Sequence, residues 1–268
     1  MDWNDAYANG AYIENAAEYP EHWARQAQAF RDSIGSRAET AISYGPAERQ
    51  VVDLFHPRDT PDGLAIFVHG GYWMKFGNGF WSHLSTGALA HGWAVAMPQY
   101  TLCPDVSISG ITREIATVVT LMAERIAGPV VLAGHSAGGH LVTRMVCNDT
   151  PLIQPVADRV RHVLSISGVH DLRPLLRTDM NKDLKLDADE ARRESPALHE
   201  PRTDAALTCW VGADERPEFV RQNALLANVW TGFGVRTTCI EEPGKHHFDV
   251  IGSLADADSE MVKCWLAD

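Results

Sequence analysis

Gly134-His135-Ser136-Ala137-Gly138 places a serine between two glycines, directly after the apolar run Val130–Ala133 and before residues at helical spacing. On a sharp strand-to-helix turn the hydroxyl stands clear of a sheet and can attack a carbonyl carbon, and only glycines beside it leave room for the strained backbone and the packed helix. The N-terminus of that helix favours a developing oxyanion. Such a motif arises by chance in roughly one chain in ten of this length, so its surroundings decide whether it means anything. Upstream, the apolar segment Leu64–His69 runs into His69-Gly70-Gly71-Tyr72-Trp73. Glycines there let backbone N–H groups approach a ligand. The N–H groups of Gly71, Tyr72 and Ala137 are the expected oxyanion donors, each able to lower a barrier by about 3 kcal/mol.

The elements that must position these groups are legible from periodicity. Short β-rich runs alternate with helical stretches, the pattern of a mostly parallel sheet covered by helices. Strands are predicted at Ile42–Tyr44, Gln50–His56, Leu64–His69, Trp93–Met97, Val130–Gly134, His162–Ser167, Leu207–Gly212 and Val235–Glu241. Helices are predicted at Ser107–Ala127, Ala137–Asn148 and Pro217–Trp230, the last opening on a proline. Residues 1–268 read as one domain, with a helical lead-in over 1–40 and a charged, proline-punctuated, cap-like insertion over 171–202.

If the serine on such an elbow works in a triad, its acid and then its histidine are looked for later in the chain. Only His246 and His247 follow the last predicted strand, and Asp214 and Glu215 share the loop after Leu207–Gly212. The residues alone leave both pairs open; Asp171 and Asp249 are more distant acids. Tyr72, Trp73, Phe76, Phe80 and Trp81 crowd the glycine loop. They suggest an aromatic rim for a flat apolar group, with Trp73 expected to touch substrate.

His69-Gly-Gly-Tyr-Trp73, Tyr100-Thr-Leu-Cys-Pro-Asp105, Gly134-His-Ser-Ala-Gly-Gly-His-Leu141, Ser167-Gly-Val-His-Asp-Leu-Arg-Pro-Leu175 and Glu194-Ser-Pro196 together resemble the kynurenine formamidase (arylformamidase) branch of the esterase/lipase α/β-hydrolases. The matching motifs run from about residue 64 to 252; the first sixty residues carry none. The resemblance implies an α/β-hydrolase fold with about eight mostly parallel strands. His247-Phe248-Asp249 resembles the ending of that branch, which makes His247 the base. The spacing from Gly212 to Phe219 resembles a register that selects Glu215, not Asp214, as the acid. Ser136, Glu215 and His247 would then form the triad. The activity implied is hydrolysis of an aryl formamide such as N-formylkynurenine. A carboxylesterase or thioesterase, and a non-catalytic binding protein on the same scaffold, are the alternatives.

Composition narrows the partners. A formal charge of -12 disfavours binding to polyanions, so no nucleic acid is expected. No apolar run approaches the roughly 20 residues that span a bilayer, and the acidic start is unlike a signal peptide. A cytoplasmic protein is expected, acting on a small molecule, with a homodimer as one option. The five cysteines lack any C-x-x-C pair and read as buried thiols. Asp179, Asn181, Asp183, Asp187 and Glu190 imitate calcium-loop spacing, but Leu184 stands where a glycine is required. No zinc pattern occurs among the histidines, so neither metal nor cofactor is expected.

Overall fold

The computed structural model describes residues 2–202 and 205–267. Its strands are β1 (Ala38–Ser43), β2 (Val51–Phe55), β3 (Leu64–Val68), β4 (Ala94–Pro98), β5 (Val130–His135), β6 (Val160–Ile166), β7 (Ala206–Gly212) and β8 (Thr237–Glu242). They form one sheet in the order β1-β2-β4-β3-β5-β6-β7-β8. The pairings of β2 with β1 and β4 are antiparallel, and the rest are parallel. All eight expected strands are present, with ends shifted by a few residues.

Every residue of β3, β4 and β5 is buried, as strands covered on both faces must be. Alternation then divides them between two cores. Leu64, Ile66 and Val68 join one cluster with Ile111, Leu141 and Phe219 of the helices Ile108–Arg125, Ala137–Arg144 and Pro217–Thr231. Ala65 and Phe67 point the other way, to Trp23 and Ile34 of the lead-in helix Tyr19–Ile34 and to Trp265 near the C-terminus. The helix after Ser136 ends at Arg144, short of the expected Asn148. There the chain turns to tertiary partners: Cys147 forms a β-bridge with Pro201, and the Asn148 N–H donates to the Glu200 carbonyl at 2.8 Å.

Residues 171–202 fold into the short helical turns Arg173–Arg177, Asn181–Leu184, Ala188–Arg193 and Pro196–Leu198. Their acidic groups have structural partners. Asp187 caps Ala188–Arg193, Glu190 accepts from the Ser109 N–H at 2.9 Å, and Asp179 pairs with Lys182. Buried Glu194 accepts from Thr112 Oγ1 at 2.8 Å and faces Arg144, which ties the segment to the helices Ile108–Arg125 and Ala137–Arg144. The cysteines depart from expectation in part: Cys103, Cys147 and Cys209 are buried, but Cys264, in the helix Glu260–Trp265, is half-buried, and Cys239 is exposed because β8 is an edge strand with one open face. Among the described residues no helix is long and apolar enough to cross a membrane.

Candidate active site

Parallel strands open at their carboxyl ends, and every expected site residue emerges there. Register aligns Val68 with Gly134, His135 with Ile166 and Gly212 with Glu242, so the loops after β3, β5, β6, β7 and β8 converge. Ser136 follows β5 at φ 56° and ψ -116°, an unfavourable conformation for a residue with a side chain. Its N–H donates to the Ile166 carbonyl at 2.8 Å, which holds the turn. The glycines are steric necessities: a Cβ on Gly138 would stand 1.9 Å from the Val68 carbonyl oxygen, and one on Gly134 2.2 Å from that of Gly138.

The loop after β3 is wound tightly, with positive φ at Gly71 (112°), Tyr72 (53°) and Trp73 (58°). The N–H groups of Met74 and Lys75 both donate to the Gly71 carbonyl at 3.0 Å and close the turn. Tyr100 backs it: its ring stacks on His69 at 4.4 Å, and its hydroxyl donates to the His69 carbonyl at 3.0 Å. Gly71 and Tyr72 line the same cavity as Ser136. Ala137 opens the following helix, where the first N–H groups have no intrahelical acceptor.

His247 is buried, and its Nδ1 lies 2.6 Å from Glu215 Oε2. The other Glu215 oxygen accepts from Ser167 Oγ at 2.5 Å and from the Gly212 N–H at 2.9 Å. The structure thus brings Glu215 to His247 and leaves Asp214 exposed. Asp171 is occupied by Arg173 at 2.8 Å, and Asp249 accepts from the His246 N–H at 2.8 Å. His246 does not line the cavity with Ser136 and meets the Tyr19 hydroxyl at 3.0 Å.

Ser136, His135 and His247 form part of the wall of a cavity of about 210 Å³. Tyr72, Phe76, Trp81, Trp23 and Phe248 make much of the remainder, and the exposed residues Gly10 and Lys75 also border it. The aromatic rim needs correcting in two places. Trp73 is fully buried on the far side of its loop, edge-on to His140 at 5.2 Å, so it does not reach the cavity. Its left-handed backbone turns the side chain into the core. Phe80 packs against Phe76 at 5.3 Å, outside the lining.

Sequence reasoning missed four contributors. His135 sits inside the motif itself; its Nε2 lies 2.9 Å from the His247 carbonyl, and its ring lies 4.6 Å from the His247 ring. Burial, reinforced by neighbouring His247, holds its pKa well below the usual histidine value and keeps it neutral. Ser167 holds Glu215 from the left-handed turn at the end of β6, and nothing local in the sequence signalled that contact. Tyr7 and Trp23 come from the lead-in. Tyr72 Oη donates to the Tyr7 carbonyl at 2.5 Å, and Tyr7 Oη donates to buried Glu218 at 3.0 Å. Trp23 packs on Trp81 at 4.8 Å and on Phe248 at 5.4 Å. The lead-in therefore covers the cavity, and none of residues 171–202 lines it.

The sequence pattern of the alpha/beta hydrolase family matches residues 65–259. Kynurenine formamidase of Danio rerio is 28% identical over 236 residues, covering 84% of this chain and 80% of that protein. The Drosophila melanogaster kynurenine formamidase is 28% identical over 239 residues, covering 83% and 78%. The crystal structure of a candidate thioesterase from Silicibacter sp. superposes with a TM-score of 0.95 at 52% identity over the whole of both chains.

Proposed function

Starting from the fact that this chain belongs to the alpha/beta hydrolase family and is an enzyme of the hydrolase type, we propose that it is a serine amidase cleaving aryl formamides such as N-formylkynurenine. Its triad is Ser136, His247 and Glu215. The observation that carries this reading is the 2.6 Å contact of His247 Nδ1 with Glu215 beside a cavity shared with Ser136. Glu215 accepts a hydrogen bond from Nδ1–H, which holds the tautomer whose Nε2 lone pair is free for the serine. Ser136 Oγ attacks the formyl carbon as Nε2 takes its proton. The N–H groups of Gly71, Tyr72 and Ala137 receive the oxyanion. The imidazolium, stabilised by Glu215, returns its proton to the leaving arylamine nitrogen as the C–N bond breaks. Water, deprotonated by His247, then releases formate and restores Ser136.

The aromatic walls support an aryl group, and the kynurenine formamidases supply the formamide. The test is turnover of N-formylkynurenine, expected for the purified protein and reduced by at least about four orders of magnitude in Ser136→Ala. A fluorophosphonate should label Ser136; failure to label would mean an inactive serine and a binding protein. A second reading has its own support. The Silicibacter relative is a candidate thioesterase, and a triad with an oxyanion hole serves a thiolate leaving group equally well. Hydrolysis of short acyl thioesters or esters without any formamide turnover selects that reading.

A further inference from the structure

The cavity beside Ser136 is apolar and aromatic over most of its wall, yet one of its lining residues is cationic. Lys75 borders it, exposed at its own end. His135 beside the nucleophile is kept neutral by burial, and none of the lining residues carries a carboxylate. Among the described residues no acid lies within ion-pairing distance of the Lys75 ammonium. In a chain with a net charge of -12, a lysine placed against an apolar cavity and left unpaired is notable.

Its placement is fixed by the turn that also presents the oxyanion donors. The Lys75 N–H donates to the Gly71 carbonyl at 3.0 Å. A Cβ on Gly71 would stand 2.5 Å from the Lys75 carbonyl oxygen, so the two backbones are in close contact. Any movement of the Lys75 backbone relative to the oxyanion site would have to unwind that turn. A cationic side chain rooted in that turn, beside a wall of aromatic surface, matches a flat substrate whose far end is an anion.

We propose that Lys75 determines specificity, pairing with a carboxylate carried by the substrate on the side away from the scissile acyl group. The acyl carbon would sit at Ser136, the aromatic body against Phe76 and Trp81, and the carboxylate at the open end where Lys75 stands. An ion pair there is partly solvated, so its effect is modest and screened by salt. This rests on the hydrolase reading above but does not depend on the acyl group being formyl.

The experiment measures kcat/KM for two matched pairs: N-formylkynurenine against formanilide, and 4-acetoxybenzoate against 4-nitrophenyl acetate. In Lys75→Met the ratio of the carboxylate-bearing to the carboxylate-free substrate should fall by about two- to fivefold, and in Lys75→Glu further still. Lys75→Arg should keep it, and 0.5 M salt should lower it in the wild type and in Lys75→Arg but not in Lys75→Met. Because the ratio is internal to each variant, a loss of folded protein cancels. An unchanged ratio in both Lys75→Met and Lys75→Glu overturns the proposal. If the wild type turns over only the ester pair, the formamidase reading fails and the ester ratio still decides the role of Lys75. If it turns over neither pair, the inference falls with the hydrolase mechanism.

Discussion

Glu215 and Asp214 are neighbours of the same chemical class, and what separates them is the number of donors each one meets. Glu215 is buried and receives hydrogen bonds from Ser167, the Gly212 N–H and His247, so its charge is compensated without water. Asp214 is exposed, and its backbone N–H donates to the Lys245 carbonyl at 3.0 Å. The extra methylene of glutamate, a drawback in a loose loop, is held here by three partners. Glu215→Gln should therefore lower kcat by about 10⁴-fold, since an amide facing Nδ1 no longer enforces the useful tautomer. Asp214→Asn should stay within about twofold of wild type, the effect expected of a surface change. Steady-state kinetics on any turned-over substrate checks both, and equal losses in the two variants would return the acid to dispute.

At the scale of elements, the unexpected contribution is the lead-in. Its helix Tyr19–Ile34 opens with a proline in the first turn and buries Trp23, Ala27 and Ile34 along one stripe. Upstream, Arg216 stacks over the Tyr12 ring at 3.7 Å and also pairs with Asp5, while Asn4 Nδ2 donates to Asp179 at 3.0 Å. These contacts lay the segment across the loops that carry Tyr72 and Glu215. Trp23 is where the covering segment meets the cavity. Trp23→Ala should cost about 3–5 kcal/mol, the usual range for removing a buried aromatic. It should also raise the kcat/KM of a hexanoyl relative to an acetyl ester by about threefold or more as the cavity enlarges. Urea unfolding measures the first and a chain-length series the second; an unchanged chain-length preference would remove Trp23 from the substrate wall.

For the whole molecule, the notable property is the number of histidines folded into the interior. Burial depresses the pKa of His69 and His162 to about 4 and of His140 and His170 to about 3. In the unfolded chain each titrates near 6.5. Between those limits the unfolded state binds more protons than the folded one, so stability rises with pH through this window. The full contribution is present above about pH 6.5 and is lost as pH falls toward 4 and then 3, by up to about 1.4 kcal/mol per pH unit for each histidine. Urea midpoints should decline from about pH 6.5 downward, before most carboxylates titrate. His162→Gln, which keeps a group able to bond Thr208, should show a shallower slope by about one proton. A midpoint flat down to pH 4.5 would contradict this account.

The sequence by itself determined the sheet, because apolar alternation and glycine spacing are local properties: β3 and β5, the elbow at Ser136 and the following helix all lie where periodicity put them. Spacing that resembles one branch of hydrolases also put His247 and Glu215 forward, and the fold brings the two within 2.6 Å of each other. Three things had no local signature and were decided by tertiary structure. The direction of Trp73 followed from the left-handed winding of its loop. The support of Glu215 by Ser167 joins residues 48 positions apart. The covering of the cavity by the lead-in, and not by residues 171–202, depends on which loops Tyr7 and Trp23 reach across the sheet. Hydrophobic periodicity states which face a residue buries; which distant partner occupies the other side of that interface is set only when the chain closes.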